Sequence, residues 1–159
     1  VETIEYKYID GVNKFNKNEL MLLVLGSVSD SVWDADKIDV AKIKMVISAF
    51  VDSPDTTKRV AIVAQDNGKA VGLIAGTITD DGLLGKPMAS ELMWYVSKEY
   101  RKSKIATTLI SMFEKWARGN GIDYLTMSHY NNDLGDILGK VFEKRGFKKM
   151  EVTYFKELK

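Results

Sequence analysis

Tyr95 to Ile110 reads YVSKEYRKSKIATTLI, and this stretch decides how the rest of the chain is read. It opens on the end of an apolar run, ELMWYV, that reads as a strand. It closes in IATTLISMFEKWA, where Ile105, Leu109, Met112, Phe113 and Trp116 recur at helical spacing. Between them stand Lys98, Arg101, Lys102 and Lys104, with Ser103 among them. A helix start carries a positive partial charge, so cations there work against helix stability. The same end presents backbone N–H groups without intrahelical partners, which suit phosphate. Arg adds a bidentate fork and Lys a mobile point charge. The junction therefore suits a ligand with several phosphates. The plain alternative is a basic, solvated helix start. Neither G-x-x-x-x-G-K-[ST] nor G-x-G-x-x-G is present.

Working outward, ETIEYKYI alternates, with Ile4, Tyr6 and Tyr8 on one face of a first strand. Helices are expected over Asn13 to Leu25, ending at Gly26, and over Ile38 to Phe50, with Ile38, Ala41, Met45 and Phe50 near one stripe. The polar segment SVSDSVWDAD joins them. RVAIVAQ and AVGLIAGTIT are strands around Asn67-Gly68, a strong hairpin signal, and DDGLLGKP is a loop. Gly119 suits the residue after the Ile105 to Arg118 helix. DYLTMSHY is a further strand. Asn132 is placed to cap a helix with Leu134, Ile137, Leu138, Val141 and Phe142 inward, stopped by Gly146. FKKMEVTYFKEL reads as a closing strand, bent or bulged. The order β α α β β β α β α β implies an α/β (α+β) fold with a mixed sheet and packed helices. Its strand–helix–strand unit near residues 91–128 should hold two parallel strands in a right-handed crossover.

The chain's 159 residues suffice for one domain, taken here as 1–159. Its 23 basic and 22 acidic residues leave a net charge of +1, which argues against an extended nucleic-acid surface. The absence of cysteine removes disulfides and thiol catalysis. No apolar stretch reaches membrane-spanning length, and VETIEYKYID is unlike a signal peptide, so the cytoplasm is the expected location.

The junction and the element order together resemble the GNAT superfamily, whose members move an acyl group from acyl-coenzyme A to an amine. The family motif, [Arg/Gln]-x-x-Gly-x-[Gly/Ala] opening a helix after a strand, reads here Arg101-Lys102-Ser103-Lys104-Ile105-Ala106. FEKRGF resembles the family's Tyr-x-x-x-Gly-Phe. Two positions depart from the pattern. Lys104 replaces the motif glycine, and Phe142 replaces the tyrosine usually cast as the acid for the departing thiolate.

The resemblance implies a GNAT-like mixed sheet with acyl-CoA in a cleft between two splayed parallel strands. It implies acetyl-CoA as acyl donor, no metal, and an N-acetyltransferase acting by direct attack of an amine on the thioester. Cofactor contacts would fall on Trp94, Tyr95, Val96, Arg101, Lys102, Ser103, Lys104, Ile105, Ala106, Thr107, Asn132 and Phe142. The Trp94 N–H would polarise the acetyl carbonyl. Glu91 is a candidate base, one position off the commonest register unless a bulge intervenes. His129 is a second candidate, and Ser128 and Tyr130 are candidate proton donors. For each, a solvated or structural role is the competing account.

The acceptor, a small-molecule or protein amine, would meet SVSDSVWDADKID, where Asp30, Asp34, Asp36 and Asp39 surround Trp33, or TDDGLLGKP. There the competing account is a solvated loop with Asp caps and Trp33 as a core anchor. Homodimers are common in the family. Two other functions stay open: a catalytically weak or inactive GNAT-fold module that binds CoA or a protein partner, and a nucleotide- or RNA-binding α/β domain.

Overall fold

The computed structural model describes residues 3–159. They divide into two compact units, the first ending at Ser128 and the second spanning His129–Lys159.

The first unit holds a five-stranded sheet in the order β1-β2-β3-β4-β5, formed by Ile4–Tyr8, Arg59–Asp66, Lys69–Asp81, Lys86–Val96 and Tyr124–Thr126. Neighbours are antiparallel except β4 and β5, which run parallel. Asn67 and Gly68 both take positive φ, 48° and 84°, as a tight hairpin turn requires. DDGLLGKP is a loop only at its centre: β3 runs through Asp81 and β4 starts at Lys86, and residues 82–85 turn, with the Asp81 carboxylate accepting the amides of Leu83 and Leu84.

Alternation along the strands builds a core on each face. Val60, Ile62 and Ala64 of β2 and Ile74 of β3 meet Ile105, Leu109, Phe113 and Trp116 of α3 (Ile105–Gly119). Ala61, Val63, Leu73 and Ala75 meet Leu20, Met21 and Leu23 of α1 (Lys17–Ser29) and Ile47 of α2 (Val40–Asp52). α3 lies close because β3 has glycine beneath it. A Cβ on Gly72 would come within 3.0 Å of Ile105, and one on Gly76 within 2.4 Å of Phe113.

Helix ends differ from expectation where a cap decides them. α1 starts at Lys17 rather than Asn13, capped by the Asn16 side chain accepting the Asn18 amide, and it runs past Gly26 to Ser29. Asp39 caps α2 through the Lys42 amide, and packing with α1 and the sheet turns another face inward: Ile47 is buried and Met45 is 71% exposed. α3 includes Gly119, and the left-handed residue beyond it is Gly121, at φ 72°.

The second unit holds α4 (Asp133–Lys144). The Asn132 side chain accepts the Gly135 amide at 2.8 Å, and Gly146 ends the helix at φ 88°. Phe142 is buried between His129 and Phe147, while Ile137 is exposed. The expected closing strand is absent: residues 147–159 take no regular structure, and Tyr154 is 90% exposed. With no ladder partner, alternation alone does not make a strand.

Candidate active site

β4 and β5 share three paired positions, Met88–Tyr124, Ala89–Leu125 and Ser90–Thr126. Beyond Ser90 the two strands part, while β4 continues to Val96 against β3 alone. The parting coincides with a bulge. Glu91 pairs with Gly76 and Met93 with Ala75, so Leu92 is the extra residue. A bulge was the condition attached to the register of Glu91, and it is present.

At the vertex of the split, the Glu91 carboxylate bridges to Ser128, just past the end of β5. One oxygen accepts both the Ser128 amide and its hydroxyl, each at 3.3 Å. Burial pushes the Glu91 carboxyl up to about 7, and the Ser128 hydrogen bonds offset only part of that rise.

Past the bulge, β4 has an open edge. The Ser97 amide donates to the Val71 carbonyl at 2.9 Å, which fixes the phase of the ladder with β3. By alternation Met93 and Tyr95 exchange bonds with Ala75 and Leu73. Trp94 and Val96 direct their N–H and C=O groups toward the split. Tyr95 therefore offers its backbone to β3 rather than to a ligand in the cleft.

A short 3-10 turn, Lys98–Tyr100, leads from β4 to α3 and is fastened by the Tyr100 hydroxyl donating to Asp66 at 2.7 Å. The Ser103 hydroxyl accepts the Ile105 amide at 3.2 Å. The first helical bond runs from the Thr108 amide to the Lys104 carbonyl, so the Ala106 and Thr107 amides lie in the opening turn ahead of it. The Thr107 hydroxyl donates to the Lys104 carbonyl at 3.1 Å. Lys104 has negative φ, −80°, so its backbone has no need of glycine. The side chains of Lys102, Ser103, Lys104 and Thr107 are exposed, whereas that of Ile105 belongs to the core and leaves only its backbone at the site.

Arg101 is differently engaged. Its Nη2 pairs with Asp30, its Nε donates to the Val96 carbonyl at 3.0 Å, and its guanidinium lies 5.3 Å from the centre of the Tyr95 ring. The sequence reading placed Asp30 with the acceptor loop and did not foresee this pair. Asp30 is 71 residues from Arg101, a separation over which no local signal survives. Of the other acids in that loop, Asp39 caps α2 and Asp34 faces Lys37 at 3.7 Å. Trp33 is 48% exposed and so is no core anchor.

In the second unit the His129 ring lies against Gly139, with its Nδ1 at 2.9 Å from the Tyr130 carbonyl and its face 6.1 Å from Phe142. Asn132 is occupied as the α4 cap. Among the described residues, no group of three or more His, Asp or Glu side chains is arranged to hold a metal. No helix among them is long and apolar enough to cross a membrane.

Several solved structures share this fold. The aminoglycoside acetyltransferase AAC(6')-Iy, solved with a CoA-based bisubstrate analogue, superposes with a TM-score of 0.74 at 18% identity, covering 99% of each chain. A ribosomal-protein-alanine N-acetyltransferase from Brucella melitensis biovar Abortus 2308 gives 0.69 at 14% identity, covering 99% of this chain and 100% of that one. A predicted acetyltransferase from Clostridium acetobutylicum, solved with acetyl-CoA, gives 0.73 at 16% identity, covering 98% and 97%. No curated protein sequence matches the chain. These likenesses establish the fold. The model of the acetyltransferase (GNAT) family matches residues 33–147, across the split strands, the cationic turn and both units. On that match, the chain belongs to the acetyltransferase (GNAT) family.

Proposed function

We propose that residues 1–159 act as one domain that transfers the acetyl group of acetyl-CoA to a primary amine by direct attack on the thioester. The observation that carries this reading is the split itself: an open β4 edge, a half-buried carboxylate at its vertex, and a cationic helix start at its far end. Acetyl-CoA supplies the activated acyl group, and the chain supplies position and proton handling.

The Ala106 and Thr107 amides and the exposed Lys102 and Lys104 ammonium groups receive the phosphates. Ser103 holds the turn in shape by accepting the Ile105 amide. The Trp94 carbonyl and the Val96 N–H pair with the amide-bearing arm of the donor, and the Trp94 N–H stabilises charge developing on the thioester oxygen. Glu91, with its affinity for protons raised by burial, removes the proton of the attacking amine, and Ser128 keeps its carboxylate oriented. The exposed acids Asp34 and Asp36 beside Trp33 face the cationic acceptor.

The reading is tested by thermal stability with and without excess acetyl-CoA, since a ligand that binds only the folded chain raises the melting temperature. Amines are then screened for release of free thiol. No rise at saturating acetyl-CoA would sink it.

A second reading has an observation of its own. Phe142 stands where the family pattern has tyrosine, is buried, and has no proton to give. A module that binds CoA with little turnover fits that residue. Binding without thiol release, across a broad amine panel, would select it.

A further inference from the structure

Arg101 is the motif residue expected to grip phosphate, yet its guanidinium is already held on three sides. Asp30 pairs with Nη2, the Val96 carbonyl takes Nε, and the Tyr95 ring lies under its face. The side chains of Asp30 and Arg101 are 18% and 28% exposed, so the pair is partly withdrawn from water. Moving Arg101 to a phosphate would leave Asp30 half-buried and without this partner, which is costly.

The anchors also tie together separate elements. Asp30 closes α1, its amide donating to the Ser27 and Val28 carbonyls. Tyr95 lies so near the last turns of α1 that a Cβ on Gly26 would stand 2.7 Å from its hydroxyl oxygen. The Val96 carbonyl belongs to the open edge of β4. One ion pair thus fastens α1 to the end of the strand that lines the split.

We propose that Asp30 is a positioning residue for the acyl-donor site. It holds Arg101 as a clamp on the open edge of β4, and phosphate recognition falls to Lys102, Lys104 and the opening turn of α3. The inference rests on the acyl-CoA reading above.

The test measures affinity on the full chain, well below its melting temperature, for two ligands. One is acetyl-CoA; the other is acetyl-pantetheine, which keeps the thioester arm and lacks every phosphate. Wild type is compared with Asp30→Asn, Asp30→Glu, Arg101→Gln and the Asp30→Asn/Arg101→Gln pair. A clamp weakens both ligands by the same factor, about tenfold, in either single variant, and the pair loses no more than one of them. Asp30→Glu, which keeps the charge, recovers most of the loss. The salt dependence of acetyl-CoA affinity is unchanged in Arg101→Gln, because no phosphate contact is lost.

Three results overturn the proposal. Arg101→Gln could weaken acetyl-CoA alone and flatten its salt dependence. Asp30→Asn could tighten acetyl-CoA, which would make Asp30 a competitor of phosphate for Arg101. Neither variant could alter either affinity. A wild-type chain that binds neither ligand would instead overturn the function itself, and is seen before any variant is made.

Discussion

Phe113 occupies the space that a Cβ on Gly76 would fill, 2.4 Å from where that atom would stand. The contact brings α3 down onto the sheet at the strand position that pairs with Glu91. Gly76→Ala should therefore cost about 1–3 kcal/mol, since the Ser90 carbonyl on the other side, at 2.8 Å, leaves no room to yield. Gly119→Ala, in the same helix with open space around it, should be neutral or stabilising by up to about 1 kcal/mol. Denaturant unfolding of the two variants checks the contrast.

Glu91→Gln should act on rate and stability in opposite directions. A base must be ionised, so wild-type turnover should rise with pH through about 7. The Gln variant should be slower by roughly a hundredfold or more, without that rise. For stability, the folded carboxyl holds its proton more tightly than the unfolded one. The folded form therefore binds more protons between the ordinary carboxyl value of 4.5 and about 7, and wild-type stability falls as pH rises across that window. The variant escapes the loss, so its advantage in melting temperature should grow from pH 5 to pH 8. An unchanged pH–rate profile in the variant would remove Glu91 from the chemistry.

Lys102→Ala/Lys104→Ala should weaken acetyl-CoA by roughly tenfold at low salt, and the difference should shrink as salt is added, because both ammonium groups are exposed. Titration at two ionic strengths checks it. Equal losses at both strengths would point to a packing effect instead.

Phe142→Tyr places a phenol where the family pattern has one. If thiolate departure limits the rate for want of an acid, turnover should rise several-fold at unchanged acetyl-CoA affinity. Steady-state rates with an accepted amine decide it. A fall in turnover with intact folding would mean that proton delivery here runs through another group.

The parts of this molecule legible in the sequence are those set by short-range chemistry. Asn67-Gly68 specified its turn because only a few residues accept positive φ, and α3 announced itself through an apolar stripe with no competing phase. Asn132 and Gly146 bounded α4 for similar local reasons. α2 misled because VAKIKMVISAFV has apolar residues on several faces, and only tertiary packing with Leu20, Val63 and Leu73 settles which one turns inward. The bulge at Leu92 has no composition of its own. It exists only in the register against β3. Arg101 was picked out for its charge, but its partner was a matter of tertiary distance.

The alternation of β4 beyond its bulge has a consequence for the exchange of amide hydrogens with solvent. Met93 and Tyr95 direct their amides into the ladder with β3, whereas Trp94 and Val96 direct theirs toward the split. In the free protein, the Met93 and Tyr95 amides should then exchange slowly, one at every second position. A ligand lying along the split acts as the missing strand, and the Trp94 and Val96 amides alone should slow. Binding in this protein would thus be recorded in a two-residue rhythm, without any change in the shape of the chain.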